Sequence, residues 1–135
     1  MNNEEKLLDY FKADNLASEV WKGKYALETE VTPDDMHLRM AKEFARVEED
    51  YSKKENLKDK GLLSKYGKNR EELNTDKIYS LFKDFKYIVP QGSPMEGIRN
   101  NHRVTSLSNC YVIPSPEDSY GGIFKADQQE AQLMK

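Results

Sequence analysis

A thiol set among small hydroxyls is the stretch of this chain best suited to chemistry. Cys110 is the single cysteine, and it lies in Thr105-Ser106-Leu107-Ser108-Asn109-Cys110-Tyr111-Val112-Ile113-Pro114. A thiol gives up hydrogen and electrons and is restored by thiol–disulfide exchange. Ser108 and Asn109 stand beside it with donors and acceptors of their own. Upstream, Ser93 sits in a turn-forming run, Pro90-Gln91-Gly92-Ser93-Pro94-Met95. Downstream, Pro116-Glu117 leads into Asp118, Ser119 and Tyr120, which bring together a carboxylate, a hydroxyl and an aromatic ring. Each group also has a plain structural use. A free cysteine packs as a small hydrophobe, serine fills turns, and aspartate caps helices.

The local pattern says which elements must position these groups. Tyr111-Val112-Ile113 makes residues 105–114 read as a short buried strand carrying Cys110. Pro94 fixes its own φ and restricts Ser93, while Gly92 and Gly97 permit close backbone approach. Asp118 or Ser119 caps a last helix, with Ile123, Phe124, Ala126, Ala131, Leu133 and Met134 available for packing. That helix meets no stop signal before Lys135.

The first half reads as helices. Leu7, Leu8, Tyr10 and Phe11 form a helical stripe that Asp14-Asn15 interrupts. Val20, Trp21, Tyr25 and Leu27 continue it, with a turn near Gly23. Thr32-Pro33-Asp34-Asp35 is a helix start: Thr32 caps, Pro33 suits the first turn, and two acids face the positive end of the helix. Met36, Met40, Phe44, Val47 and Tyr51 follow at spacings of four, four, three and four, one apolar face of a helix over 33–53. Residues 52–76 are dense in mixed charge, a solvated face, with Leu57, Leu62, Leu63 and Tyr66 able to support a short helix. Thr75-Asp76 caps a further helix with Ile78, Leu81, Phe82 and Phe85 on one side.

Composition bounds the function. The 135 residues suit one domain, but 37% hydrophobic against 33% charged is polar for a self-sufficient globule. The core is therefore expected to be modest or completed by other protein. A net charge of −3 gives no global attraction to nucleic acid or anionic membrane. Apolar runs are too short for a membrane span, and the acidic N-terminus lacks the apolar core of a signal peptide. A lone cysteine offers no internal disulfide and no cysteine-based zinc site. The two histidines, His37 and His102, have no ligand spacing around them and are expected to be surface or capping residues. No metal site is expected, and the expected setting is cytoplasmic. Helices followed by one strand and one helix leave the sheet unfinished, so the chain reads as the front end of a larger α/β protein.

Pro94-Met95-x-Gly97-Ile98-Arg99, then Ser106-Leu107-Ser108-Asn109-Cys110-Tyr111-Val112, then Pro116-Glu117-Asp118-Ser119 resemble the start of a ribonucleotide reductase catalytic (large, α) subunit. Trp21-x-x-Lys24-Tyr25 and Arg39-x-Ala41 also fit that family's N-terminal helical region. The resemblance covers most of the chain and is specific from about residue 90 onward. It implies a mostly α N-terminal helical domain over 1–86. The first strand and helix of a ten-stranded α/β barrel would follow over 87–135, incomplete without the rest.

The resemblance implies roles as well. Cys110 would be one member of the redox cysteine pair that reduces the ribose. Ser93, Ser108 and Asn109 would contact the substrate, with its phosphates near the turn before the strand, where hydroxyls and free backbone N–H groups suit an anion. Asp118, Ser119 and Tyr120 match the segment that binds a deoxynucleoside triphosphate effector, and the last helix would join a homodimer interface. The radical cysteine, the second redox cysteine and the C-terminal cysteine pair belong to later parts of the family, so this segment alone is expected to be inactive. It would bind no cofactor. The whole enzyme would need a dithiol reductant and a radical source, either a metal-containing small subunit or adenosylcobalamin. The expected partners are the remainder of the catalytic subunit, a second copy, substrate, effector and a radical-generating subunit, with no nucleic acid and no membrane. No nucleotide-binding regulatory cone is evident before the helices. A reading from another class is a non-catalytic helical protein-interaction module with a structural cysteine.

Overall fold

The computed structural model describes residues 2–53, 64–102, 104–108 and 110–134. The described chain is mostly helical. Helices α1 (Asn3–Tyr10) and α2 (Asn15–Lys24) are followed by the long α3 (Pro33–Lys53). After α4 (Lys65–Asn69) come α5 (Thr75–Phe82), a 3-10 turn (Lys83–Phe85), α6 (Gly92–Gly97) and α7 (Tyr120–Leu133). No helix among the described residues is long and apolar enough to cross a membrane.

Side-chain caps set most of the helix starts. The side chains of Asn2 and Glu5 and the two backbone N–H groups bond reciprocally at the start of α1. Asp14 accepts from the Ala17 N–H and opens α2, after Lys12 and Ala13 turn the chain through positive φ. At α3, the side chain of Asp35 reaches back to the chain before the helix. Its Oδ2 accepts from the backbone N–H groups of Val31 and Thr32, at 2.9 and 3.0 Å. The cap of α5 is Asn74, one residue before the expected Thr75, because its amide oxygen reaches the Lys77 N–H.

The core lies where α3 crosses α5. Met36, Met40 and Ala41 on α3 are fully buried with Ile78 and Phe82 of α5, Leu7 and Trp21 of the first two helices, and Ile98 just after α6. Burying side chains of this size contributes about 1.5–3 kcal/mol each. The predicted apolar face of α3 holds for its first half only. Phe44 and Tyr51, further along the same stripe, are exposed. The expected helix of residues 52–76 falls partly outside the described residues, and the described α4 leaves Tyr66 exposed.

His37 corrects the expectation of a surface or capping residue. Its side chain is fully buried beside the Met36 and Met40 positions. The ring stacks near Phe82, with centroids 6.2 Å apart, and meets Phe85 edge-on at 4.5 Å. Neither ring nitrogen has a hydrogen-bond partner, and Nδ1 stands 3.9 Å from Asp34 Oδ1. Burial pushes the imidazole below its usual pKa of 6.5, with the Asp34 carboxylate partly offsetting the shift.

Residues 104–108 and 110–117 do not form the expected strand. No strand occurs among the described residues, and these two stretches have neither helix nor strand. Val104 and Val112 are fully exposed, and Cys110 is exposed instead of buried. The cause is pairing. An extended segment with the right side chains has no neighbouring strand to bond to, so neither its backbone nor its apolar face is covered.

Candidate functional site

Ser93 and Ser108 come together although 14 intervening residues separate them in sequence. Both line an open depression of about 560 Å³, with Gly23, Lys24 and Tyr25 from the end of α2 and Gly92 and Glu96 from α6. Ser93 is presented by the first turn of α6, where Pro94 supplies a φ already suited to a helix. Gly92 at the start of α6 has no side chain to fill the space in front of that turn.

Ser108 reaches the depression because the chain after α6 folds back over Gly97. A Cβ placed on Gly97 would lie 2.5 Å from Thr105 Oγ1 and 2.9 Å from Leu107 Cδ2. A side chain at 97 would have to displace those of Thr105 and Leu107. Within the loop, hydroxyls hold each other. Ser106 Oγ accepts from the Ser108 N–H at 3.1 Å and lies 2.6 Å from Tyr111 Oη. Ser108 Oγ donates to the Cys110 carbonyl at 3.2 Å.

Cys110 does not line the depression. Its backbone is tied to Ser108, and its thiol is open to solvent. Asn109 lies outside the described residues. Lys24 and Tyr25 are the contribution that the reading of site residues left out. Among the described residues lining the depression Lys24 is the sole cation, and Glu96 brings a carboxylate. The signal was present in the Trp21-x-x-Lys24-Tyr25 element, but a lysine at a helix end has an equally good use with the helix dipole.

Asp118, Ser119 and Tyr120 form a helix start. Ser119 is the cap of α7, its Oγ accepting from the Gly122 N–H at 3.0 Å. A Cβ on Gly122 would fall 2.6 Å from the Glu117 carbonyl oxygen, so the turn closes tightly on itself. Ser119 shares a depression of about 370 Å³ with Pro114, Pro116, Lys125 and Gln129, whereas Asp118 and Tyr120 do not line it. Both of those side chains are exposed.

Among the described residues no group of three or more His, Cys, Asp or Glu side chains gathers in a way that would hold a metal ion. A scan of family models, a search of curated proteins and a search of solved structures each return no match to this chain.

Proposed function

We propose that this chain is the N-terminal part of a ribonucleotide reductase catalytic subunit, working only when joined to the barrel that completes it. Residues 1–86 are the helical domain and residues 87–135 begin the barrel. The observation that carries the reading is the meeting of Lys24 and Tyr25, Ser93 and Ser108 in one depression. These residues come from three separate parts of the chain, and each belongs to an element of the family resemblance.

In this reading Ser93, Ser108 and Asn109 hold the ribonucleotide, with its phosphates at the depression, where Lys24 supplies charge and Ser93 a hydroxyl. Cys110 and a cysteine of the barrel supply two electrons. The carbon–oxygen bond at the ribose 2′ position breaks, the oxygen leaves as water, and a carbon–hydrogen bond replaces it. The two thiols lose two hydrogens and become one disulfide. A radical source elsewhere in the enzyme starts the reaction at the 3′ carbon. Asp118, Ser119 and Tyr120 take a deoxynucleoside triphosphate effector. Residues 105–114 then form the first strand once the barrel provides its neighbours.

A second reading, a helical interaction module without catalysis, draws on the exposed apolar side chains at Val104, Val112, Phe124 and Met134. Both readings need a partner, and they part on Cys110. The test is reconstitution of the chain with the barrel fragment and assay of deoxynucleotide formation, wild type beside Cys110→Ser. Multiple turnovers in wild type and none in the variant support the reductase. Equal activity removes the role given to Cys110, and a stable complex without product favours the interaction module.

A further inference from the structure

The depression is built on a helix that is poorly anchored by its own residues. Helix α6 spans Gly92–Gly97, buries no residue completely and has no side-chain cap at its start. Met95 packs against the core from the side, and Ile98 is buried just beyond the end. A short helix of this kind leaves its last carbonyl groups without intrahelical partners.

Arg39 of α3 supplies those partners. Its Nη2 donates to the Met95 carbonyl at 2.7 Å, and its Nη1 donates to the Ile98 carbonyl. Nε donates to Glu30 Oε1 at 2.6 Å, and Nη2 also lies 3.3 Å from Glu30 Oε2. Glu30 Oε2 in turn accepts from the Leu27 N–H at 2.8 Å. The two side chains are only 11% and 6% exposed. One guanidinium therefore ties together the loop after α2, the body of α3 and the end of α6. The loop after α2 is continuous with Lys24 and Tyr25, and α6 carries Ser93. Four residues further along α3, Glu43 accepts from Arg99 at 2.9 Å and holds the next part of the turn. Ser108 follows α6 indirectly, because Thr105 and Leu107 lie against Gly97.

We infer that the Arg39–Glu30 pair is a positioning device for the depression, setting Ser93 and Ser108 opposite Lys24 and Tyr25. The inference rests on the reading of that depression as a phosphate site. Arginine is needed for its geometry. A planar fork with five donors serves a carboxylate and two carbonyls at once, whereas lysine offers one compact point charge. Removing the arginine alone would strand the buried Glu30 carboxylate, so the pair must also be removed together.

The experiment compares the full chain with Arg39→Lys and with the double variant Glu30→Gln/Arg39→Met. Amide hydrogen exchange, without ligand, reads residues 92–98 and 105–108 against α3 and α5. Exchange at 92–98 and 105–108 is expected to quicken about tenfold in both variants, with α3 and α5 close to wild type. Inorganic pyrophosphate is then titrated while the amide signals of Gly92, Ser93 and Ser108 are followed. Its apparent affinity is expected to fall about tenfold in both variants. Unchanged exchange at 92–98, an equal loss of protection in α3 and α5, or unchanged pyrophosphate affinity would each overturn the inference. If wild type itself ignores pyrophosphate, the phosphate reading falls, and the exchange pattern alone decides whether Arg39 places α6.

Discussion

Helices α3 and α7 are both long, start in well-made caps and carry apolar residues, yet one is the spine of the fold and the other buries nothing completely. On α3, Met36 and Met40 are 0% and 1% exposed. On α7, Phe124 is 68% exposed and Met134 beyond it 81%. The difference lies in the neighbours. Residues 75–85 return α5 across α3 and supply Ile78 and Phe82 to its apolar face. Among the described residues no helix returns to α7 in this way, and Pro114 and Pro116 flank it at an open depression. The body is stabilised by tertiary burial, and the C-terminal arm by local terms alone.

The largest test of this contrast deletes a core ring. Phe82→Ala should destabilise the chain by about 3–5 kcal/mol, read as a lower midpoint in urea. Phe124→Ala on α7 should change the midpoint by no more than about 0.5 kcal/mol. A comparable loss for Phe124 would mean that the arm packs onto the body in solution, and the contrast would fail.

Proton uptake offers a second separation. The unfolded chain protonates His37 near the usual 6.5, whereas the folded chain, with the imidazole buried, does so only at lower pH. Stability from this group is therefore complete above that value and declines as pH falls below it, by at most about 1.4 kcal/mol per pH unit. Asp34, Asp84 and Glu30 face the ring and reduce the slope without reversing it. Glu43, Glu48 and Glu71 are held below the carboxylate range by hydrogen bonds from Arg46, Arg70 and Lys77, so their contribution is lost only at more acid pH. His37→Phe should flatten the urea midpoint between pH 7.5 and 5.5. A slope that survives His37→Phe would place the titrating group elsewhere.

Much of the body was legible in the sequence because its signals are local and periodic. The spacing of Met36 and Met40 sets a helix face, and Thr32-Pro33-Asp34-Asp35 sets where that helix begins. His37 was misplaced because nothing in the sequence shows that α5 returns Phe82 and Phe85 around it. Phe44 and Tyr51 were assigned to the core because the stripe continues, and Phe44 does stack on Phe82 at 5.9 Å, but both line an open apolar depression and stay exposed. The expected strand of residues 105–114 is not formed among its described residues. Val112 has the residue type of a strand interior, but burial needs neighbouring strands that no local pattern supplies. The resemblance gave Ser93 and Ser108 each a substrate role, whereas their shared depression with Lys24 and the Arg39 tie emerge from the fold.

Caps provide a smaller test, with the same chemistry placed in both regions. Asn74 caps α5 and Ser119 caps α7 through the same kind of side-chain bond to a backbone N–H. Either change to alanine removes about 1 kcal/mol of helix stability. Asn74→Ala should lower the melting temperature of the whole body, because α5 unfolds only with the core. Ser119→Ala should leave that temperature alone and cost helical ellipticity and amide protection confined to 120–133. If Ser119→Ala moved the global transition, α7 would be coupled to the core.

The smallest expected effect belongs to Cys110. An exposed thiol whose recorded hydrogen bond is made by its backbone carbonyl contributes little to packing, so Cys110→Ser should change stability by less than about 0.5 kcal/mol. In the native chain the thiol should react with a disulfide reagent about as fast as in urea, because access and not unfolding sets the rate. A thiol protected in the native chain and released only on unfolding would place residue 110 within the body and erase the boundary between the two regions. Protection that appears only when a barrel fragment is added would instead locate the missing cover of the arm at the position where the redox reading needs it.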